Sequence, residues 1–249
     1  MNARRPSDQL IQRAKDTLAG ASSVVCFSGA GLSAESGVPT FRDAHAVGGA
    51  LWAKYDPETL ASPHGFARDP AVVVEWYNWR RKAIAAAEPN NAHRALATSA
   101  RVMNVTQNVD DLLERAGARG VIHLHGSIAI DLCENRCGCE EAVNMSNPPP
   151  LRNCPRCGSS ARMRPGVVWF GESLPVDAWN AAERTCRACQ ALLVVGTSAV
   201  VHPAAGLIGL AKSHGSRIII VNTQPSEASG LADLELLGPA GEIVPRILP

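Results

Sequence analysis

The sequence predicts an α/β fold in which helices cover both faces of a parallel sheet. Short apolar runs rich in β-branched residues alternate with segments of helical periodicity along the 249-residue chain, which is typical of such sheets. The first run, residues 24–28, stops at Gly29-Ala30-Gly31. A Gly-x-Gly directly after a buried strand is typical of a dinucleotide-binding turn, so we expect a Rossmann-like sheet. Its expected strands are residues 24–28, 102–106, 121–126, 167–170, 191–195 and 217–221.

Composition and charge exclude several classes of function. The net charge of +1 leaves no basic footprint for nucleic acid as the main partner. Apolar residues make up 46% of the chain and charged residues 19%, which is typical of an ordinary soluble globule. No apolar run approaches the roughly 20 residues that span a bilayer. We therefore expect a cytoplasmic protein with no membrane segment, whose eight cysteines are metal ligands or buried thiols instead of disulfides.

A long interval between the first two strands predicts an insertion. An ordinary dinucleotide-binding fold reaches its second strand after about 30 residues. Here a helix that begins at Asp69-Pro70 and runs to about Ala87 comes first. We interpret residues 38–88 as a cofactor loop and helical insertion. The expected Rossmann-like domain then comprises residues 1–37, 89–126 and 167–249, with a small module at 127–166.

Residues 127–166 differ in character from the rest of the chain. Cysteine, proline, glycine and asparagine crowd together there and apolar periodicity is lost, so a metal is the natural stabiliser of the segment. Two cysteine pairs separated by 16 residues predict a structural zinc site, because four thiolates close a tetrahedron. The expected ligands are Cys133, Cys137, Cys154 and Cys157. Cys139 is a rival for one of the first two positions, and Cys26, Cys186 and Cys189 are interpreted as buried thiols.

Two further features indicate a ligand at the carboxyl ends of the strands. Gly29 and Gly31 lack the Cβ atoms that would hold backbone N–H groups away from a phosphate, and a helix after them would add its N-terminal dipole. His125 ends a strand on the same side, and histidine is suited to taking a hydroxyl proton near neutral pH. His123, two residues earlier, is expected to be structural.

The residues after the glycine turn resemble a known cofactor loop. A polar run rich in helix breakers stands where the helix of a dinucleotide fold should be smooth; its residues are Ser33, Ser36, Gly37, Pro39, Phe41 and Arg42. With the glycine turn, this run is similar to the cofactor loop of the sirtuins, the NAD-dependent protein-lysine deacylases. His125-Gly126-Ser127 is similar to the catalytic segment of that family, and the likeness extends from about Val24 to Gly241.

The resemblance implies NAD as the cofactor, beside one structural zinc ion per chain, and it assigns roles to individual residues. It makes His125 the catalytic base, with Asn108 and Asp110 positioning water and ribose. The implied NAD-binding residues are Gly29, Ala30, Gly31, Ser33, Ala34, Pro39, Thr40, Phe41, Arg42, Gln107, Asn108, Asp110, Gly196, Thr197, Ser198, Asn222, Thr223, Gln224 and Ala240.

Two other segments resemble substrate-binding parts of the family. One is similar to the segment that pairs with the substrate peptide as an added strand; its residues are Val168, Trp169, Phe170, Gly171 and Glu172. Tyr77 and Arg80, three residues apart on one helical face, together with Ala61 resemble the subgroup that removes negatively charged acyl groups. A guanidinium binds the carboxylate of a succinyl or malonyl group in a fork geometry, and Tyr77 adds a hydroxyl donor.

By this resemblance we expect an NAD-dependent protein-lysine deacylase that takes acylated-lysine proteins or peptides and prefers succinyl- or malonyl-lysine to acetyl-lysine. In the family's reaction the acyl oxygen attacks C1′ of the nicotinamide ribose and nicotinamide leaves. The base then activates a ribose hydroxyl, and the products are free lysine and 2′-O-acyl-ADP-ribose. Two alternatives stay open: an ADP-ribosyltransferase that uses the same NAD site, and a non-catalytic NAD or ADP-ribose sensor.

Overall fold

A computed structural model of the chain describes residues 6–39 and 55–248. The helices are α1 (Asp8–Gly20), α2 (Gly31–Ala34), α3 (Pro57–Leu60), α4 (Pro63–Arg68), α5 (Pro70–Ala86), α6 (Asn91–Thr98), α7 (Leu112–Arg115), α8 (Val176–Ala188), α9 (Gly206–Ser213) and α10 (Ala240–Ile247). The strands are β1 (Val24–Ser28), β2 (Val102–Thr106), β3 (Ile122–His123), β4 (Gly126–Cys133), β5 (Glu140–Ala142), β6 (Asn153–Cys154), β7 (Gly158–Val167), β8 (Ala191–Val195), β9 (Arg217–Asn222) and β10 (Leu234–Leu237). No helix within these described ranges is both long and apolar enough to cross a membrane.

The six-stranded sheet confirms the predicted α/β class. Its strand order is β10-β9-β8-β1-β2-β3, and every neighbouring pair is parallel. Alternate residues of a strand face opposite sides of a sheet. In β1, Val24 and Cys26 pack with α1, α6 and α10, whereas Val25 and Phe27 pack with α8 and α9. Helices therefore bury both faces, in agreement with the complete burial of β1 and β8.

Three details of the sheet differ from the prediction. The expected strand at 167–170 is wrong, because Val167 is the last residue of β7, which pairs antiparallel with β4. Residues 168–170 are held by other backbone groups: Val168 N–H donates to the carbonyl of His125 and Phe170 N–H to that of Ala61, each at 2.9 Å. The sixth strand of the sheet is instead β10, and β3 ends at His123, which places His125 in the turn before β4.

A second, four-stranded sheet has the order β5-β4-β7-β6 and carries the cysteine pairs. A buried arginine attaches it to helix α5. The Arg81 side chain is fully buried and donates to Asp131 Oδ1 at 2.6 Å and to the carbonyl of Ile128 at 2.8 Å. Asp131 also accepts from Arg152. Because a buried charge is costly unless it is paired, these contacts fix α5 against β4.

Helices α3, α4 and α5, in the insertion between β1 and β2, form a third apolar cluster. Their starts are defined by side-chain caps: Asp56, Ser62 and Asp69 accept from backbone N–H groups of α3, α4 and α5, and each is followed by proline. Phe66 of α4 and Trp76 of α5 are buried in this cluster. The cluster also includes Ile128 of β4, Val167 of β7 and Trp169, so these helices pack against the second sheet and the residues that follow it.

The segments that follow β1 and β8 come unusually close to each other at two glycines, Gly31 and Gly196. A Cβ built on Gly31 would lie 2.7 Å from the Cα of Gly196, and one built on Gly196 would lie 2.4 Å from the N of Leu32. Gly196 also has a φ of 60°, which L side chains rarely adopt. The observed need for glycine here is therefore the contact between two loops.

We predict that Gly31→Ala lowers the free energy of unfolding by about 1–3 kcal/mol, the usual cost of forcing an extra methyl into a packed site. Denaturant unfolding measures it. Gly209→Ala is the matched control, because its Cβ would meet no atom within 4 Å inside helix α9. The control should be neutral or slightly stabilising. Equal stability of the Gly31 variant and the parent would contradict the close-contact interpretation.

Candidate active site

The glycine turn differs in detail from the anion site expected there. The N–H groups of Gly29 and Gly31 donate to the carbonyls of Val195 and Gly196, at 3.0 and 2.8 Å, and so are used within the fold. Helix α2 is a single turn of four residues, so it supplies only a weak dipole. These two N–H groups are therefore not free to bind a phosphate in this conformation, and a role of the turn in cofactor binding stays a prediction. Ala30 and Ala34 flank that turn, Pro39 is the last described residue before the gap, and the expected cofactor residues Thr40, Phe41 and Arg42 lie outside the described residues.

Ser33 joins the glycine turn to the polar segment after β2. Its hydroxyl donates to Asp110 Oδ2 at 2.9 Å and accepts from the amide of Asn108 at 3.2 Å. His93 Nε2 lies 3.4 Å from the same oxygen, and His93 Nδ1 accepts from the N–H of Asn90. The proton of His93 is therefore on Nε2, and the Ser33 hydroxyl uses one donor and two acceptor sites. The network fixes the side chains of Asn108 and Asp110 in the segment that follows β2.

Burial sets the protonation of this network. It lowers the pKa of His93 to about 4, so the ring is neutral at physiological pH. It also raises the pKa of Asp110, although the N–H of Leu112 and the hydroxyl of Ser33 oppose that shift by donating to the carboxylate. Sequence reasoning missed His93. The available signal was its position three residues after Asn90, where the two side chains form a capping box at the start of α6.

His125 is arranged to act as a base. Its Nδ1 lies 3.0 Å from the carbonyl of Gln107, and a carbonyl only accepts, so Nδ1 carries the proton and Nε2 has the free lone pair. Burial lowers the pKa of His125, partly offset by that hydrogen bond, so the ring is neutral at pH 7. It is half-buried and its own carbonyl accepts from Val168 N–H. His125 is thus hydrogen-bonded both to the segment that follows β2 and to the segment that follows β7.

The surroundings of His123 raise its pKa, whereas those of His125 lower it. Its two ring nitrogens lie 3.0 Å from the carbonyl of Asn108 and 2.7 Å from Glu114 Oε1, and two acceptors call for two N–H donors. Burial opposes the charged form, but the hydrogen bond and charge of Glu114 outweigh it and raise the pKa of His123. This geometry suits a structural cation that holds the Asn108 backbone, and it leaves His125 as the histidine with an available lone pair.

Neutral amides and hydroxyls follow the next strands at the same edge. The amide of Gln107 donates to Thr197 Oγ1 at 2.9 Å, and the amide of Asn222 donates to the carbonyl of Thr197 at 3.0 Å. Ser198 is half-buried, whereas Thr223 and Gln224 are exposed. Ala240 is buried at the start of α10, beside the N–H of Gly241 that donates to Glu35. This donor set fits the hydroxyls and base of a dinucleotide, so the residues suit NAD.

The five residues after β7 form a tight, braced turn. Glu172 N–H donates to the carbonyl of Trp169 at 2.9 Å, and Gly171 between them has a φ of 86°, as a type II turn requires. Glu172 Oε2 accepts in return from the N–H of Trp169 and from Arg164. Phe170 is 41% exposed at the tip of this turn. The predicted peptide-binding segment thus lies at the surface, next to His125 through Val168.

The proposed acyl-binding residues meet beside that turn. Ala61 is buried and its carbonyl accepts from Phe170 N–H at 2.9 Å. Tyr77 is 2% exposed and its hydroxyl accepts from Trp169 Nε1 at 3.0 Å. The guanidinium of Arg80 lies over the Tyr77 ring at 5.8 Å, and it borders a cavity of about 10 Å³ lined also by Pro39. No acidic residue in the described ranges forms an ion pair with Arg80.

The structure brings the four expected metal ligands together. Their sulfur atoms all lie within 4.8 Å of one another; they are Cys133, Cys137, Cys154 and Cys157. The Cys133–Cys157 and Cys137–Cys154 sulfur distances are 3.8 and 3.7 Å. A tetrahedron with bonds of about 2.3 Å has edges of about 3.8 Å, so these two sulfur pairs have the spacing of zinc ligands. Cys139 is not a member of the group; its carbonyl accepts from Cys133 N–H.

Comparison with known proteins identifies the family. Residues 29–203 match the model of the Sir2 family. NAD-dependent protein deacylase 1 of Pseudomonas aeruginosa is 49% identical over 247 residues, covering 94% of this chain and 96% of that protein. The crystal structure of a Sir2 homologue–NAD complex is 41% identical with a TM-score of 0.88, covering 100% of this chain and 94% of the other. Sir2Af2 bound to a myristoylated histone peptide is 33% identical with a TM-score of 0.77, covering 97% and 96%. The chain belongs to the Sir2 family.

For the metal site, we predict that Cys154→Ser loses most of its zinc, because one of four thiolate bonds is removed. Cys139→Ser is the control within the same module and should keep about one zinc per chain. Atomic absorption of the purified variants measures both. Full retention by the Cys154 variant, or loss in the Cys139 variant alone, would contradict the assignment of the four ligands.

Proposed function

We propose that this protein is an NAD-dependent protein-lysine deacylase. The observation that carries the proposal is the position of His125. A neutral imidazole with a free Nε2 lies at the carboxyl edge of a parallel sheet, where ligands bind in such folds, and is hydrogen-bonded to the segment expected to hold a peptide. Relatives named NAD-dependent protein deacylases support the same reading.

The proposed roles follow from the contacts of each side chain. NAD, when bound, supplies a ribose that accepts the acyl group and nicotinamide as the leaving group. His125 would take a proton from a hydroxyl at its Nε2. Asn108 and Asp110 would position water and ribose, because Ser33 and His93 prevent them from rotating away. The turn at 168–172 would hold an extended peptide through backbone bonds, which demand little of its sequence.

The domain boundaries belong to the same proposal. Residues 1–37, 89–126 and 167–249 would form the NAD-binding domain, residues 38–88 the cofactor loop and helical insertion, and residues 127–166 the zinc module. The parallel sheet supports the proposed NAD-binding domain, and the antiparallel sheet with its four clustered cysteines supports the proposed zinc module. The zinc would be structural, because four protein sulfurs leave no open position on a tetrahedral ion.

We further propose that the preferred acyl groups end in a carboxylate. Burial lowers the pKa of the Arg80 guanidinium, partly offset by Tyr77 and Asp110, so an anion beside Arg80 would stabilise its charge. The Tyr77 hydroxyl lies on the same helical face. Ala61 leaves room beside them because its side chain is a single methyl group. Succinyl- and malonyl-lysine are therefore expected to be better substrates than acetyl-lysine.

The test of the base is His125→Ala. We predict that kcat/KM for NAD-dependent deacylation falls by about 10²–10⁴-fold, the range for a lost general base, with zinc content and circular dichroism unchanged. In the parent, the acid limb of the kcat/KM profile should lie below the ordinary histidine pKa of about 6.5, because burial lowers the pKa of His125.

His214→Ala is the matched control, since His214 is exposed at the end of α9, by the opposite edge of the sheet. Near-parent turnover by the His125 variant would refute its role as base. Isotope from labelled NAD that stays on protein, with no acyl-ADP-ribose formed, would instead support an ADP-ribosyltransferase.

The test of the acyl preference is Arg80→Met. We predict that kcat/KM for a succinyl-lysine peptide falls about 10- to 100-fold more than that for the acetyl-lysine peptide, since a hydrogen bond to a charged group contributes about 1.5–3 kcal/mol. Arg187→Met on the surface of α8 is the control. Steady-state kinetics with both peptides give the ratio, and equal losses would show that Arg80 does not contact the acyl carboxylate.

A further inference from the structure

We infer that Trp169 is a positioning residue for acyl selectivity: its indole N–H orients the Tyr77 hydroxyl so that the hydroxyl proton is available to the carboxylate of the acyl group. The inference rests on the proposed charged-acyl function and adds a residue that acts through Tyr77 from the peptide-binding turn. The juxtaposition that carries it is a buried hydrogen bond between the two proposed substrate elements.

The polarity of that hydrogen bond is fixed by chemistry. An indole N–H only donates, so in the 3.0 Å contact Trp169 Nε1 is the donor and the Tyr77 oxygen the acceptor. The Tyr77 proton must then point elsewhere. No residue within the described ranges accepts it. Without the indole N–H, the hydroxyl could rotate and offer either its proton or its lone pair to a ligand.

The protonation of Tyr77 supports the same orientation. Burial raises its pKa to about 12, although the nearby Arg80 and Trp169 oppose the shift, so the phenol keeps its proton throughout the physiological range. The guanidinium of Arg80, over the rings of Trp76 at 5.0 Å and Tyr77 at 5.8 Å, is the neighbouring donor. A carboxylate there would accept from one cation and one oriented hydroxyl.

Trp169 is held rigidly enough to act in this way. The guanidinium carbon of Arg164 lies 3.5 Å from the centre of its ring, and the ring of Phe66 lies 5.2 Å away. Arg164 donates to both oxygens of Glu172 at 2.8 Å, and Glu172 accepts from the Trp169 N–H. The indole is therefore held by contacts with Arg164 and Phe66 and through its backbone.

The position of Trp169 also connects selectivity to the peptide. It begins the turn that ends at Glu172, and the next residue, Phe170, donates its N–H to the carbonyl of Ala61. The residue that orients Tyr77 is thus one residue from the exposed tip of the peptide-binding segment. A lysine that enters along this segment would present its acyl group to a hydroxyl already turned toward it.

The test is Trp169→Phe, which keeps an aromatic ring and removes the N–H. We expect the ratio of kcat/KM for succinyl-lysine over acetyl-lysine peptide to fall about 5- to 10-fold, through a higher KM for the succinyl peptide, as for one lost neutral hydrogen bond. In a Tyr77→Phe background the same change should leave the ratio unaltered, because there is no hydroxyl to orient. If Trp169→Phe does not fold, benzothienylalanine incorporated at position 169 serves as the test instead, because it removes the N–H and preserves the bicyclic shape.

Trp179→Phe on α8 is the matched control and should leave the ratio unchanged, since Trp179 packs with residues of α8 and α9 in a cluster that contains neither Tyr77 nor Trp169. A parent that deacylates both peptides equally would refute the proposed acyl preference and this inference together. A parent that prefers the succinyl peptide and loses that preference on Arg80→Met, but keeps it without the indole N–H, would overturn the inference alone. So would an equal fall of the ratio in the presence and absence of the Tyr77 hydroxyl.

Discussion

The hydroxyl of Ser33 joins the polar groups on which the candidate site depends. It contacts the carboxylate of Asp110, the amide of Asn108 and the ring of His93, so three chain segments meet at one oxygen. All four groups are buried, where an unpaired polar atom costs about 1–3 kcal/mol. The network therefore stabilises a single arrangement. With the Gly31–Gly196 contact, it keeps the ends of β1, β2 and β8 close enough to form one ligand site.

The second organising feature is a series of hydrogen bonds that connects His125 with the turn at residues 168–172 and with Ala61. The carbonyl of His125 accepts from Val168, and two residues further on Phe170 donates to Ala61. The buried Arg81–Asp131 pair fixes α5 against the cysteine-bearing sheet. His125, the turn at residues 168–172 and helix α5 are thus parts of one hydrogen-bonded framework, which would allow residues far apart in sequence to act on one substrate.

Local patterns in the sequence were enough to predict the parallel sheet and the four cysteines that cluster. Both follow from short-range signals: β-branched runs bounded by glycine, and cysteine spacing. The strand at 167–170 was predicted wrongly because a buried apolar run has the same appearance in either sheet. His93 and Arg81 were missed because the contacts that join them to the rest of the fold, with Ser33 and Ile128, span 60 and 47 residues of sequence. Only the folded structure shows that His93, on the short helix α6, contacts Ser33 just after the glycine turn.

The carboxyl edge of the sheet is proposed to bind NAD with its ribose beside His125 and an acylated lysine. The most direct measurement of this is mass spectrometry of every product after the protein is incubated with NAD and a succinyl-lysine peptide. We expect equal amounts of free-lysine peptide, nicotinamide and succinyl-ADP-ribose. Free succinate and unmodified lysine formed without release of nicotinamide would contradict the proposal.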